Sequence, residues 1–264
     1  MTETPHAPLI PPAVPRFNVL GVGVSALTLS TAREHILAAR GAKNLGYVCV
    51  CTVHGISEAQ SDPSFRKILN TSYLTTPDGM PLVWIGPSGV ARVYGPDLML
   101  AVCDAGRFVG LRHYFYGGAA GVAAALAGKM SARFPGLNIA GCFSPPFREL
   151  NNDELAALHI DVARCRPDII WVGLSTPKQE RFMAAHAMTL ETGLLIGVGA
   201  AFDFHTGRVR QAPRWIQRSG FEWLFRCCME PRRLGPRYLK TNPLFLLRIT
   251  AQLTGLKKYP MEAS

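Results

Sequence analysis

Three polar groups of this chain sit where apolar runs break off, and their positions limit the chemistry it could support. The run Asp168–Val172 ends at Gly173 and gives way to Ser175-Thr176-Pro177-Lys178-Gln179-Glu180. A short β-branched and aromatic run bounded by Pro and Gly reads as a buried strand, and Ser or Thr followed by Pro and an acidic residue reads as a helix start. The free N–H groups of such a start face the carboxyl edge of a sheet, where open α/β proteins bind anions, so a phosphate-bearing substrate is expected. The run Gly46–Val53 carries Thr52 at its end, with His54 just beyond. Residues two apart on an extended segment project to one face, so both side chains are expected to line one cavity. Thr76-Pro77-Asp78-Gly79 follows the run Ser72–Thr75. A lone carboxylate in a turn ordinarily closes the turn or caps a helix. Asp78 instead leaves a strand level with Thr52 and the Gln179 turn, which makes it a candidate for catalysis.

The elements that must position these groups alternate at short spacing. Phe17–Val24 is an apolar run ending in Gly21-Val22-Gly23, and Ser30 and Thr31 are N-cap candidates for a helix reaching about Ala39. Helices are expected over Ile56–Gln60, Pro63–Asn70 and Pro96–Asp104, with a polar, Gly-rich stretch carrying Arg92 before the last. A second half then begins. Arg112–Tyr116 reads as a strand, Gly117-Gly118-Ala119-Ala120-Gly121 as a small-residue turn and Val122–Arg133 as a helix. Strands at Leu137–Cys142 and Leu194–Val198 flank a helix over Asp153–Cys165 and the Gln179 helix, which runs to about Met188. Such alternation predicts an α/β protein with a mostly parallel, Rossmann-like sheet covered on both faces, in lobes of about 17–110 and 111–206. Neither glycine turn completes G-x-G-x-x-G; the Gly117-Gly118 turn suits close approach of a nucleotide and equally suits tight helix packing.

With 48% hydrophobic and 17% charged residues, the 264-residue chain is globular. No uninterrupted apolar run reaches the roughly 18 to 20 residues of a spanning helix, and no basic-then-apolar secretory leader opens the chain. Residues 1–16 hold five prolines and read as a disordered leader. Seven cysteines with no C-x-x-C pair favour reduced thiols in the cytoplasm over disulfides or zinc.

The net charge of +10 is concentrated: residues 207–258 hold 12 Lys and Arg against Glu222 and Glu230, while the rest of the chain balances at 16 against 16. That patch could meet nucleic acid, anionic lipid or a diphosphate. Within it Arg208–Tyr238 interleaves arginines with aromatics. Beyond Asn242-Pro243, Leu244–Leu256 is a short amphipathic segment suited to lying at a membrane surface.

Several motifs in order resemble those of the WecG/TagA/CpsF family of bacterial glycosyltransferases. They are T-x-x in the second strand, TPDG, R-V-x-G-x-D-L, the Tyr-Gly-Gly turn, P-G-L-N-I-A-G, S-T-P-K-Q-E, G-A-A-F-D-F-x-x-G, F-E-W-L-F-R and E-P-x-R, spanning roughly Phe17 to Leu239. The resemblance implies an inverting, metal-independent transfer of a sugar from a UDP-sugar donor to a polyprenyl-diphosphate-linked sugar at the cytoplasmic membrane surface. It implies no cofactor and no nucleic-acid partner, and leaves homo-oligomerisation open. By it Asp78 is the general base, and Thr52, Arg92 and Gln179 are the other catalytic residues. His54, Gly117, Gly118, Gly173, Lys178, Asp203, Arg226, Arg233 and Arg237 bind substrate, the arginines belonging to a basic C-terminal appendage (207–264) that folds over the site and neutralises the departing diphosphate. Two positions depart from the family pattern: His54 replaces an asparagine, and Pro236 falls in the R-x-x-R spacing, leaving Arg237 as the third arginine. The donor expected is N-acetylmannosamine or a related sugar, with glucose or a uronic acid as the alternative. A nucleotide-dependent dehydrogenase fits less well, lacking the glycine fingerprint and the ribose-binding acidic residue. A non-enzymatic anionic-lipid binder would explain the basic tail and nothing upstream.

Overall fold

The computed structural model describes residues 13–261. Its centre is a six-stranded, all-parallel sheet in the order β4-β3-β8-β7-β5-β6, formed by β3 (Gly46–Cys51), β4 (Leu74–Pro77), β5 (Arg112–Gly117), β6 (Asn138–Phe143), β7 (Ile169–Gly173) and β8 (Leu194–Gly197). Parallel strands buried on both faces read as continuous apolar runs, and alternate side chains feed opposite cores. Thus Ile169 and Trp171 of β7 enter one core and Ile170 and Val172 the other. The first core is covered by α1 (Leu29–Leu37), α5 (Gly95–Gly106), α6 (Val122–Arg133) and α9 (Ala201–Thr206). The second is covered by α2 (Val53–Ser61), α3 (Pro63–Thr71), α7 (Asn152–Cys165) and α8 (Lys178–His186).

The expected lobes meet in this one sheet. The boundary near residue 110 falls between elements, but β8 of the second half is hydrogen-bonded to β3 of the first, so the two halves share the six-stranded sheet. Phe17–Val24 is a hairpin, β1 (Arg16–Val19) paired antiparallel with β2 (Val22–Ser25), because Leu20 and Gly21 take positive φ and turn the chain. Thr28, ahead of the expected Ser30 and Thr31, caps α1 in a reciprocal box with Thr31. Of the leader expected over 1–16, residues 1–12 lie outside the described residues; Arg16 belongs to β1 and donates to the carbonyls of Gly23, Leu69, Asn70, Ser72 and Tyr73.

The C-terminal region is helical: α10 (Arg214–Ser219), α11 (Glu222–Met229) and α12 (Pro231–Leu253). The break expected at Asn242-Pro243 does not occur, and α12 continues through Pro236 and Pro243. Each proline removes a helix hydrogen bond. Burial of Leu234, Thr241, Phe245 and Ile249 holds the helix in register against the body. Its end is fastened to the hairpin, where the Gln252 amide accepts from Leu20 N–H at 2.7 Å and donates to Asn18 O at 2.9 Å. Among the described residues no helix is long and apolar enough to cross a membrane.

Candidate active site

Four adjacent strands, β4, β3, β8 and β7, deliver their carboxyl ends to one side of the molecule. Cys51 pairs with Pro77, so the next residues, Thr52 and Asp78, leave the sheet side by side, and Asp78 N–H donates to Cys51 O at 2.9 Å. A cavity of about 510 Å³ opens there, and the appendage forms its far wall. Thr52, His54, Asp78, Arg92, Gln179, Asp203, Arg226, Arg233 and Arg237 all line it. Thr52 and His54 share it for a reason other than the one expected: β3 stops at Cys51, Thr52 is the N-cap of α2 and His54 lies in that helix's first turn.

The remaining expected site residues stand elsewhere. Lys178 is exposed and outside the cavity wall. Gly117, Gly118 and Gly173 lie at the ends of β5 and β7, where a Cβ would come within 2.6 Å of Gly173 O, 2.6 Å of Val122 and 2.8 Å of the Phe202 ring respectively. Close packing of β5 against β7 at Gly117, and of strand ends against α6 and α9 at Gly118 and Gly173, requires glycine there whether or not a ligand binds.

Gln179 is clamped at both ends of its amide. Oε1 accepts from Gly199 N–H at 3.0 Å, and Nε2 donates to Glu180 Oε1 at 3.0 Å. Thr176 Oγ1 donates to the same Glu180 oxygen at 2.8 Å, so Thr176 steadies the buried Glu180 instead of capping α8, whose N-cap is Pro177. Burial pushes Glu180 upward in pKa, while the Gln179 and Thr176 hydrogen bonds oppose the shift. Ser175, also on the cavity wall, takes φ of +67°, a left-handed conformation costly for a residue with a Cβ and concentrated at functional sites.

Asp78 is the most perturbed carboxyl group of the cavity. Its side chain is 15% exposed, and burial raises its pKa to about 7; Arg92 pulls against that rise, Glu222 adds to it and Arg226 opposes it. A carboxyl group that titrates near neutrality can hold and release a proton under working conditions. Arg92 joins the core to the appendage. Its Nε donates to Asp78 O, Nη1 to Gln217 O at 3.1 Å, and Nη2 to Glu222 Oε2 at 2.6 Å, with Asp78 Oδ1 at 3.5 Å. The Tyr94 ring lies 4.1 Å below the guanidinium, and Tyr94 Oη donates to Glu222 Oε1 at 2.8 Å. His54 is pushed down to about 4, first by burial and then by Arg237, so its imidazole is neutral at pH 7. Among the described residues the Nε atoms of Arg226 and Arg237 are buried without a hydrogen-bond partner, leaving donor capacity unspent beside the cavity.

Glu222 and Tyr94 were not singled out from the sequence. Glu222 is an acidic residue in a basic segment, 130 positions from Arg92, and no spacing rule links the two. Its one local signal is its place in F-E-W-L-F-R, at the first turn of α11.

Comparison with known proteins places the chain among its relatives. Over 180 residues the chain is 30% identical to the N-acetylglucosaminyldiphosphoundecaprenol N-acetyl-beta-D-mannosaminyltransferase of Bacillus spizizenii, covering 67% of this chain and 68% of that one. It is 28% identical over 179 residues to the protein of the same name from Bacillus subtilis, covering 66% and 68% respectively. The glycosyl transferase WecG/TagA/CpsF family matches residues 17–259, nearly the whole described chain, including the appendage that closes the cavity. The chain therefore belongs to the WecG/TagA/CpsF family and is a glycosyltransferase.

Proposed function

We propose that this enzyme transfers N-acetylmannosamine from its uridine diphosphate to an N-acetylglucosaminyl diphospho-undecaprenol acceptor, with inversion at the anomeric carbon. The acceptor and the sugar follow the names of the Bacillus relatives. One observation carries the mechanism: a buried carboxylate that titrates near neutrality shares a cavity with three arginines of the appendage. In this reading Asp78 accepts the proton of the acceptor hydroxyl as that oxygen attacks the anomeric carbon. The bond to the donor phosphate breaks, and its electron pair leaves on the nucleoside diphosphate. Arg226, Arg233 and Arg237 meet that charge, since guanidinium groups stay charged and offer paired donors to phosphate oxygens. Gln179, fixed by Gly199 and Glu180, and Thr52 orient the sugar, and the neutral His54 hydrogen-bonds a substrate hydroxyl.

The appendage would act at the cytoplasmic face of the membrane. Leu239, Leu247, Leu253 and Leu256 are 67 to 83% exposed on or just beyond the basic α12, a pattern suited to an interfacial helix that brings the cavity to a lipid-linked acceptor. The test is transfer from a panel of UDP-sugars to a short-chain lipid-diphosphate acceptor. UDP-N-acetylmannosamine should be used best, and Asp78→Asn should lower turnover by about 100-fold or more while UDP binding stays nearly intact. Preference for another donor would revise the substrate, and retained turnover in Asp78→Asn would remove the base.

A further inference from the structure

Arg92 is shared unequally between two carboxylates. Its Nη2 stands 2.6 Å from Glu222 and 3.5 Å from Asp78. Both oxygens of Glu222 are occupied, one by Arg92 and the other by Tyr94 Oη at 2.8 Å, and its side chain is only 12% exposed. Asp78 is left with the longer contact although Arg92 also donates to its backbone carbonyl. A guanidinium seated fully on a carboxylate stabilises the ion and weakens it as a base.

We propose that Glu222 is a positioning residue for the transfer: by holding Arg92 and Tyr94 it keeps Arg92 from pairing fully with Asp78, so Asp78 stays basic only while the appendage is seated. This rests on Asp78 as the base in the reaction proposed above. Glu222 arrives on the first turn of α11, whereas Arg92, Tyr94 and Asp78 belong to the core. Lifting α11 takes Glu222 away and leaves Asp78 as the carboxylate within reach of Arg92. Closure of the appendage and activation of the base are then one event. An open site would hold a weakened base, which protects the donor from hydrolysis before an acceptor has been enclosed.

The other groups facing Asp78 do not cancel this effect. Arg226, also on α11, favours the Asp78 ion and departs with Glu222, so its loss offsets part of the effect, the smaller part because Glu222 acts on Asp78 more strongly than Arg226 does. Cys51 and Tyr94 are neutral at pH 7, since burial raises the pKa of each. His54, neutral as well, Asp203, Arg233, Arg237 and Tyr238 complete the charged and titratable lining.

The test is the single-turnover transfer rate against pH, from about pH 5 to 9, for the full-length enzyme and for Glu222→Gln, Glu222→Asp, Tyr94→Phe and Asp78→Asn. In Glu222→Gln the acidic limb should move down by about one pH unit, and the plateau rate should fall roughly tenfold as the base weakens. Glu222→Asp keeps the charge and should return the limb most of the way. Tyr94→Phe removes the hydroxyl that orients Glu222 and should move the limb the same way by less. An unmoved limb in Glu222→Gln, whatever the rate, would overturn the proposal, because a merely structural role lowers activity without changing the titration of Asp78. Should Glu222→Gln fail to fold in a thermal melt, an unmoved limb in Tyr94→Phe would overturn it equally. Activity retained in Asp78→Asn would instead overturn the reading of the base itself.

Discussion

At Asp78 the protein holds a carboxyl group where water solvates it poorly, and that choice costs stability in order to gain basicity. The folded-state pKa of about 7 lies above the ordinary value of 3.8. Below about pH 4 the group is protonated in folded and unfolded chains alike, so nothing is lost there. As pH rises toward 7 the unfolded chain sheds the proton freely while the folded chain retains it, and stability falls across that window. Above 7 the loss is complete and stays constant. Asp78→Asn escapes this loss, so its melting temperature should exceed that of the parent at pH 8 by an amount that shrinks toward zero near pH 4. The gain corresponds to roughly 1 to 4 kcal/mol, less whatever the Arg92 contact contributes. Thermal melts of both proteins at pH 4.5 and 8 measure it, and an equal difference at the two pH values would show that burial is not what perturbs Asp78.

At the scale of single elements, the strands were legible because burial on both faces leaves uninterrupted apolar runs, as in Ile169–Val172, and α6 was legible to the residue. Asp78, Thr52 and Gln179 were legible for the related reason that polar residues ending such runs must emerge at the sheet edge. The helix α4 (Met80–Ile85) was not, being one and a half turns with Pro81 inside its first turn. Continuity of α12 was hidden as well, since local propensity at Pro236 and Pro243 is overruled by tertiary burial that no local window contains. Glu222 belongs with these misses: its meaning lies in a contact across 130 positions. The Gly117-Gly118 turn stays open on sequence alone, because the pattern suits a nucleotide and close packing alike, and the contacts a Cβ would meet at Gly117, Gly118 and Gly173 show that packing by itself requires glycine there. Gly173→Ala separates the two. Its new Cβ would lie 2.8 Å from the Phe202 ring, an overpacking that costs about 1 to 3 kcal/mol. The variant should melt several degrees lower while the folded enzyme keeps its KM for the donor; a raised KM at unchanged melting temperature would return Gly173 to the substrate site.

Across the whole molecule, charge and apolar surface are divided so that the carboxyl edge of the sheet and the basic appendage face one another across the cavity. The appendage is not a loose tail. Arg214 pairs with Asp97 at 2.6 and 3.0 Å, Arg92 ties down Glu222 and Gln217, and Phe245, Ile249 and Gln252 fix the far end to the body and the hairpin. Deleting it would therefore unroof part of a core, so the proposed membrane role is better tested on the outward face of the intact chain. Leu239 and Leu253 lie fourteen positions apart on α12, a whole number of heptads, and so share a face; they are 79% and 67% exposed, with Leu247 at 69%. Neither removal of Leu239 nor of Leu247 opens the cavity wall, because neither side chain contributes to it. Replacing both by Glu removes roughly 3 kcal/mol of apolar insertion, about a hundredfold in vesicle affinity, and adds charge repelled by anionic lipid. Retention on anionic vesicles in a sedimentation assay should fall accordingly, and residual binding of the parent should weaken with salt as its lysines and arginines are screened. Transfer to a short-chain, water-dispersed acceptor should stay near the parental rate, whereas transfer to a long-chain acceptor embedded in vesicles should drop by about tenfold or more, following the lost affinity. Equal loss on both acceptors would mean that the leucines shape the cavity from a distance, and no loss on either would mean that the acceptor reaches the site without this face meeting the bilayer.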